Sequence, residues 1–160
     1  MSNRAAESAV GDTVHQLVTF RLKDETYGIN VMQVQEVLRV SEIAPVPGAP
    51  GYVLGIINLR GNVVTVIDTR TRFGLSTGEL DEASRIVIIE SEQQVVGILV
   101  DSVAEVVELR QSEIDSAPNT GNEDSSRYIQ GVASRDEDLL IVVDLNKLLT
   151  EEEWSEMTAF

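Results

Sequence analysis

The chain has 160 residues, of which 42% are hydrophobic and none is cysteine, and its formal net charge is −15. A composition of this kind folds as one domain or two small ones without disulfides, and a reducing cytosol is slightly favoured. The charge argues against nucleic acid or an anionic membrane as partner, and we expect neither a secretory signal nor a membrane-spanning segment.

The first third of the chain predicts short strands after a disordered tail at residues 1–14. Apolar and polar residues alternate over residues 15–22, and a second run follows at 26–31, so two strands are predicted. Residues 32–40 fit both helical and alternating spacing, and we expect a short helical turn that leads into a strand. Three prolines and two glycines between residues 45 and 51 then exclude a regular element.

A β-hairpin is predicted in the centre of the chain. Two runs rich in Val and Ile flank the dipeptide Gly61–Asn62, which tolerates the positive φ of a primed two-residue turn. Arg60 lies beside this turn as a charge on an apolar ribbon. It is either a strand-end side chain that reaches back to water or part of a binding face. A helical turn is expected at residues 69–73 and a polar linker at 75–83.

The pattern then begins again, which indicates a tandem duplication. Residues 17–20 match residues 86–89 at an offset of 69, and residues 52–68 match residues 128–144 at an offset of 76. About seven extra residues therefore lie in the second copy, within 117–126. Because closure into a barrel removes the exposed edges of a few short strands, we predict an all-β fold. Its two small barrels, at about residues 15–73 and 85–149, pack side by side before a helical tail at 150–160.

The duplication separates residues that the fold requires from residues that one copy alone requires. Glu36 recurs as Glu105, which favours a structural role for this carboxylate. Arg60 falls on Asp136 instead, so its guanidinium is the better candidate for a binding face. Charge is also unequal, with seven basic and seven acidic residues up to residue 78 and five basic and twenty acidic residues after it. The two halves are expected to present different faces.

Catalytic groups are scarce. His15 is the only histidine, and the chain has neither a GxxxxGK[ST] phosphate loop nor a G-x-G-x-x-G run that opens a helix. The acidic runs at residues 81–82 and 136–138 lack the ligand spacing of a helix–loop–helix calcium site, and solvated turns explain them better. We expect no enzymatic activity, no cofactor and no bound metal.

Four segments resemble the CheW family of bacterial chemotaxis coupling proteins. They are VQEVLRV (34–40), VPGAPGYVLGIINLRGNVVTVIDTR (46–70), VVGILVDSVAEVVEL (95–109) and YIQGVASRDEDLLIVVDLNKLL (128–149). They follow the family's order and spacing over about residues 15–150. The resemblance implies two SH3-like five-stranded β-barrels, in agreement with the duplication. The family often has Pro where Thr65 stands and Leu where Thr69 stands, so the contact surface after the hairpin is expected to differ.

The resemblance implies a non-catalytic adaptor. Proteins of this family bind the regulatory domain of the histidine kinase CheA and the cytoplasmic tip of methyl-accepting chemoreceptors, and so build two-component signalling arrays. Such an adaptor is cytoplasmic, meets the membrane only through the arrays and binds no nucleic acid. The candidate receptor-binding residues are Glu36, Arg60, Val34 and Val103, and the candidate kinase-binding residues are Gly55, Asn58 and Leu59. In the family the carboxylate orients the guanidinium, a planar donor fork suited to an interface.

Two other functions stay open at this point. The chain is also consistent with a coupling protein of a parallel chemosensory pathway, for surface motility or another output, in which only the partner differs. A free-standing β module that binds a small ligand in the groove between its barrels is the third interpretation. In that case a metabolite raises the melting temperature, and reversal of the charge at Arg60 has no effect.

Overall fold

Ten strands and two short α-helices make up the described part of the chain, which comprises residues 12–73, 75, 80–91, 94–115, 128–135 and 138–158 of a computed structural model. The strands are β1 Val14–Leu22, β2 Glu25–Asn30, β3 Val34–Arg39, β4 Val53–Leu59, β5 Asn62–Asp68, β6 Arg85–Glu90, β7 Val95–Val100, β8 Ser102–Arg110, β9 Ile129–Arg135 and β10 Asp138–Val143. The helices are α1 Thr69–Arg72 and α2 Glu151–Thr158, and 3-10 turns lie at Val31–Gln33, Gln111–Glu113 and Leu145–Lys147. Among the described helices, none combines the length and apolar character that a membrane span requires.

The strands form two five-stranded sheets with the same internal order. Sheet I has the order β3-β6-β7-β5-β4, and sheet II has the order β8-β1-β2-β10-β9. The registers match across the duplication, since Val66 pairs with Gly97 in sheet I and Val142 pairs with Gly28 in sheet II. The predicted mainly-β fold of two five-stranded units is confirmed. The strand pairing leaves β3 and β4, and likewise β8 and β9, as sheet edges, so it does not itself close the predicted barrels.

The two sheets do not follow the two halves of the sequence. The hairpin β1–β2 belongs to sheet II, and its counterpart β6–β7 belongs to sheet I, so the copies exchange their first two strands. The predicted division at about 15–73 and 85–149 is corrected accordingly. The chain passes between the sheets at two short connections, since three residues link β2 to β3 and only Asp101 links β7 to β8. Connections this short carry the chain from one sheet directly into the other.

The largest apolar cluster lies between the sheets. Ile29 of sheet II and Ile98 of sheet I are both fully buried in it. Four aromatic rings form a row through this cluster with successive centroid distances of 5.7, 5.1 and 4.3 Å: Phe20, Tyr27, Phe73 and Tyr128. Each sheet also has a smaller cluster of its own. Burial of apolar surface between the sheets therefore holds the exchanged copies together.

Helix α2 fastens the sheets at one side. Trp154 is 3% exposed and lies in the inter-sheet core. Arg72, just after sheet I, donates two 2.9 Å hydrogen bonds from Nη1 and Nη2 to the Glu153 carboxylate. Its Nε donates a 2.8 Å bond to the Leu148 carbonyl, and its guanidinium lies 5.7 Å from the ring centre of Tyr52. One arginine thus connects the end of sheet I to the helix that follows sheet II.

We expect Arg72→Met to lower the free energy of unfolding by about 1–2 kcal/mol, because the Glu153 carboxylate and the Leu148 carbonyl both lose the hydrogen bonds of the guanidinium in a largely buried position. Urea denaturation followed by Trp154 fluorescence measures this. Arg39→Met makes the same change at an exposed position of β3, where we expect a loss below about 0.5 kcal/mol. Equal losses in the two variants would contradict the fastening role of Arg72.

Short elements follow the prediction where they are described. The helical turn that leads into a strand at residues 32–40 is confirmed by Val31–Gln33 and β3, and the turn at 69–73 by α1. Other predictions fall wholly or partly outside the described residues: the tail up to residue 11, residues 76–79 of the linker at 75–83, and the extra residues at 117–126.

Candidate functional site

The central hairpin turns one residue earlier than predicted. Leu59 pairs with Asn62, so Arg60 and Gly61 are the two turn residues, with φ of 51° and 89°. The prediction of a Gly61–Asn62 turn is therefore wrong. Positive φ is unfavourable for a residue with a Cβ, and Asn58 offsets this because its Oδ1 accepts a 2.8 Å hydrogen bond from the N–H of Gly61. Arg60 is held at the tip of the hairpin.

Arg60 forms an ion pair with Glu36 across the open edge of sheet I. Its Nη1 donates a 3.3 Å hydrogen bond to Oε1 of Glu36, and its Nη2 binds Oε2. The Arg60 side chain is 70% exposed, whereas the Glu36 side chain is 27% exposed. The carboxylate therefore orients the guanidinium while leaving most of it accessible to a partner.

The ion pair also sets a titration that can be measured. It lowers the pKa of Glu36 below the ordinary value of 4.5, chiefly because Arg60 donates a side-chain hydrogen bond, while desolvation opposes the shift. A carboxyl group whose pKa is depressed by folding stabilises the fold above its unfolded pKa and loses this contribution as the pH falls through the folded value.

We therefore expect the Glu36–Arg60 pair to be intact at neutral pH and to break only below pH 4.5. An NMR titration of the Glu36 carboxyl carbon should give a pKa below 4.5 in the wild type and a value closer to 4.5 in Arg60→Gln. The same pKa in both proteins would show that the pair does not persist in solution.

Arg60 is the arginine that this part of the chain presents to solvent. Arg70 and Arg72 follow it closely in sequence, but their side chains are only 15% and 18% exposed. Arg70 donates a 2.8 Å hydrogen bond from Nε to Asp101, the residue that links the sheets, and Arg72 binds Glu153. Two of the three clustered arginines thus serve the fold, which leaves Arg60 as the one suited to a binding face.

Val34 and Val103 occupy equivalent positions near the starts of β3 and β8. Both are half-buried and pack against the inter-sheet core. A β-bulge separates Val34 from Glu36, which pair with Ile89 and Ile88 of β6, so the simple alternation of a strand does not put the two side chains on one face. Both valines have a role in packing, so any partner contact must use their exposed part.

Gly55 is buried and is required by the local packing. The segment that contains Ile43 and Ala44 crosses β4 here, and Ala44 forms a bridge to Ile56. A Cβ at Gly55 would lie 2.4 Å from the Ala44 carbonyl oxygen and 2.8 Å from Cγ2 of Ile43. Gly131 repeats the arrangement in sheet II, with a virtual Cβ 2.7 Å from the carbonyl oxygen of the bridging segment. We therefore expect Gly55 to affect a partner only through the fold.

The other two kinase-binding candidates differ in exposure. Leu59 is half-buried in the apolar cluster of sheet I, whereas Asn58 is exposed. Asn58 lines an open groove of about 510 Å³ on β4 and β5, together with the 68% exposed Val63. Of the two threonines expected to alter the surface after the hairpin, Thr69 is fully buried and Thr65 is half-buried.

A related but looser ion pair lies at the equivalent edge of sheet II. Nη2 of Arg135 lies 3.8 Å from Oε2 of Glu105, beyond hydrogen-bonding distance. Glu105 is the counterpart of Glu36, whereas Arg135 stands one position before the counterpart of Arg60. The sequence comparison suggested that only the first copy has an arginine opposite this glutamate. The structure shows a glutamate–arginine pair in both copies. A comparison that allowed a shift of one residue at the hairpin would have found it.

Comparisons with known proteins agree over nearly the whole chain. A family model described as a CheW-like domain matches residues 16–153. The chain is 36% identical to the chemotaxis protein CheW of Treponema pallidum over 157 residues, covering 96% of this chain and 92% of that protein. It is 34% identical to the protein of the same name in Bacillus subtilis, covering 88% and 90%. The crystal structure of the scaffolding protein TtCheW from Thermoanaerobacter tengcongensis matches with a TM-score of 0.80 and 32% identity, covering 88% of this chain and 91% of that one.

Proposed function

The chain belongs to the CheW family, and on this premise we propose that it couples chemoreceptors to the histidine kinase CheA. It acts as a non-catalytic chemotaxis scaffold with two protein partners, the regulatory domain of the kinase and the cytoplasmic tip of the receptor. It works in the cytoplasm and reaches the membrane only through the receptor arrays. A parallel pathway would differ from this one in the identity of the kinase and the receptors.

The exposure of the Glu36–Arg60 pair is the observation that carries this proposal. Arg60 sits at a hairpin tip in a positive-φ conformation that the turn alone would assign to Gly or Asn. Its guanidinium is oriented by Glu36 and is 70% exposed. A strained, oriented and exposed arginine is better explained by recognition than by folding. We assign the receptor face to this pair and to the exposed part of Val34 and Val103.

The kinase face lies on the same hairpin in this proposal. Asn58 and Val63 line the open groove on β4 and β5, which offers apolar surface with a polar rim. Leu59 supports the groove from the interior, and Gly55 keeps β4 in place beneath the crossing segment. The kinase face and the Glu36–Arg60 part of the receptor face are therefore neighbouring surfaces of sheet I in this proposal.

Titration calorimetry with the purified regulatory domain and a receptor-tip fragment tests the proposal. We expect the chain to bind each partner alone and to bind both together in a ternary complex. If the chain binds the kinase domain of a parallel pathway and not the CheA regulatory domain, the scaffold function stands and the partner differs. Failure to bind any such domain or receptor fragment would overturn the proposed function.

A further inference from the structure

Sheet II contains a polar pocket with no assigned role. It has a volume of about 290 Å³ and lies where the start of β1, the end of β2 and the end of β10 meet. Leu17 and Val142, which are 2% and 4% exposed, contribute apolar surface to it. Five amide side chains and one imidazole also line it: Asn30, Gln33, Gln111, Gln130, Asn146 and His15.

The duplication shows that two of these amide positions, Asn30 and Gln130, are apolar in the other copy. The pair Leu17–Asn30 in β1 and β2 corresponds to the pair Ile86–Leu99 in β6 and β7. By the offset of 76, Gln130 corresponds to Leu54. Leu54 and Leu99 both pack against the apolar cluster of sheet I. The same structural positions thus hold leucine in one sheet and amides in the other, which leaves sheet II with a pocket where sheet I has packing.

The hydrogen bonds of the pocket define what it can recognise. Nε2 of His15 lies 2.7 Å from Oε1 of Gln111, and Oδ1 of Asn30 accepts a 2.8 Å bond from the N–H of Met32. These bonds use the oxygens of both amides and leave their NH₂ groups as donors. Asp144 adds a carboxylate, and the described residues that line the pocket include neither lysine nor arginine. A phosphate or carboxylate ligand would meet the Asp144 carboxylate and neither lysine nor arginine among them.

We propose that this pocket binds a small uncharged molecule of about monosaccharide size that carries several hydroxyl groups. Neutral amides both donate and accept hydrogen bonds, which matches hydroxyl groups, and the apolar surface suits a C–H face of the ligand. The site lies in sheet II and shares no residue with the Glu36–Arg60 pair. The inference therefore goes beyond the coupling function and stands or falls separately from it.

An NMR titration of the full chain tests this directly. The probes are D-glucose, myo-inositol and N-acetylglucosamine, with inorganic phosphate as a charged comparison. We expect at least one neutral probe to give saturable shifts of the Gln111 and Gln130 side-chain amides, with a Kd of about 1 mM or tighter. Phosphate should give none. No saturable shift with any neutral probe, or tighter binding of phosphate, would overturn the proposal.

The duplication supplies the variant for the test. Gln130→Leu installs the residue that sheet I has at this position, so the variant should fold and should weaken binding of the neutral probe at least about tenfold. Gln16→Leu makes the same change on the opposite side of β1, where Gln16 is exposed and contacts Glu108, and should leave binding unchanged. Shifts that survive Gln130→Leu would place the probe elsewhere. Receptor-tip binding, measured in the same samples, should be unaffected in both variants.

Discussion

Reversing the charge at Arg60 is expected to abolish binding to the receptor tip, while the chain stays folded and keeps its affinity for the kinase regulatory domain. Arg60→Glu removes the exposed guanidinium and places a second carboxylate opposite Glu36, so repulsion replaces an oriented donor at the interface. We expect the affinity for the receptor tip to fall at least about 100-fold. Because the side chain lies at an exposed hairpin tip, the melting temperature should change little. Calorimetry and thermal denaturation measure the two quantities.

Two matched charge reversals serve as controls for this result. Arg39→Glu changes an exposed arginine of β3, and Arg135→Glu breaks the looser pair in sheet II. Neither should weaken receptor binding by more than about threefold. A loss in Arg135→Glu as large as that in Arg60→Glu would show that net charge, and not the Glu36–Arg60 pair, governs binding. If Arg60→Glu unfolds the chain, Arg60 belongs to the fold.

Adding one methyl group at Gly55 is expected to cost about 3 kcal/mol of stability or to prevent folding. The Cβ of Gly55→Ala would lie 2.4 Å from the carbonyl oxygen of Ala44, and that backbone is fixed by its bridge to Ile56. The crossing segment would have to move away from β4, and the groove beside Asn58 would change with it. Urea denaturation gives the loss of stability, and kinase binding should weaken because the groove changes and the folded fraction falls.

The glycines elsewhere in the chain calibrate this prediction. Gly131→Ala meets the equivalent contact in sheet II and should cost a similar amount, whereas Gly51 has nothing within 4 Å of a virtual Cβ. Gly51→Ala should change stability by less than about 0.5 kcal/mol. If Gly55→Ala keeps the stability of the wild type and loses only kinase binding, Gly55 contacts the kinase directly and its assignment to the fold is wrong.

The duplication could be predicted from sequence, but the exchange of hairpins could not. Strand alternation shows which residues face a core, but it does not show to which sheet the strand belongs. The pattern at residues 17–20 therefore fits a strand in either sheet. The information lies in the connections, where Asp101 alone joins β7 to β8. Asp101 and Ser102 interrupt the apolar pattern there without the Gly or Pro of a typical turn, so the sequence does not mark the passage from one sheet to the other.

The turn shows a second limit. Gly61–Asn62 satisfies the local preference for positive φ, and the sequence therefore favours it over a turn that contains Arg60. The contacts that hold Arg60 in place come from Glu36, far away in the chain, and from the amide of Asn58. These tertiary contacts shift the hairpin turn by one residue from the position that local preference favours. That residue is the centre of the candidate site, which local propensity alone would have placed beside the turn.

Reconstitution of receptor control is the measurement that tests the coupling function most directly. Autophosphorylation of the kinase is followed in a mixture with receptor-containing vesicles, with this chain absent, present, or present as Arg60→Glu. We predict that kinase activity responds to receptor ligand only when the wild-type chain is present. A response without the chain, or an equal response with Arg60→Glu, would contradict the account.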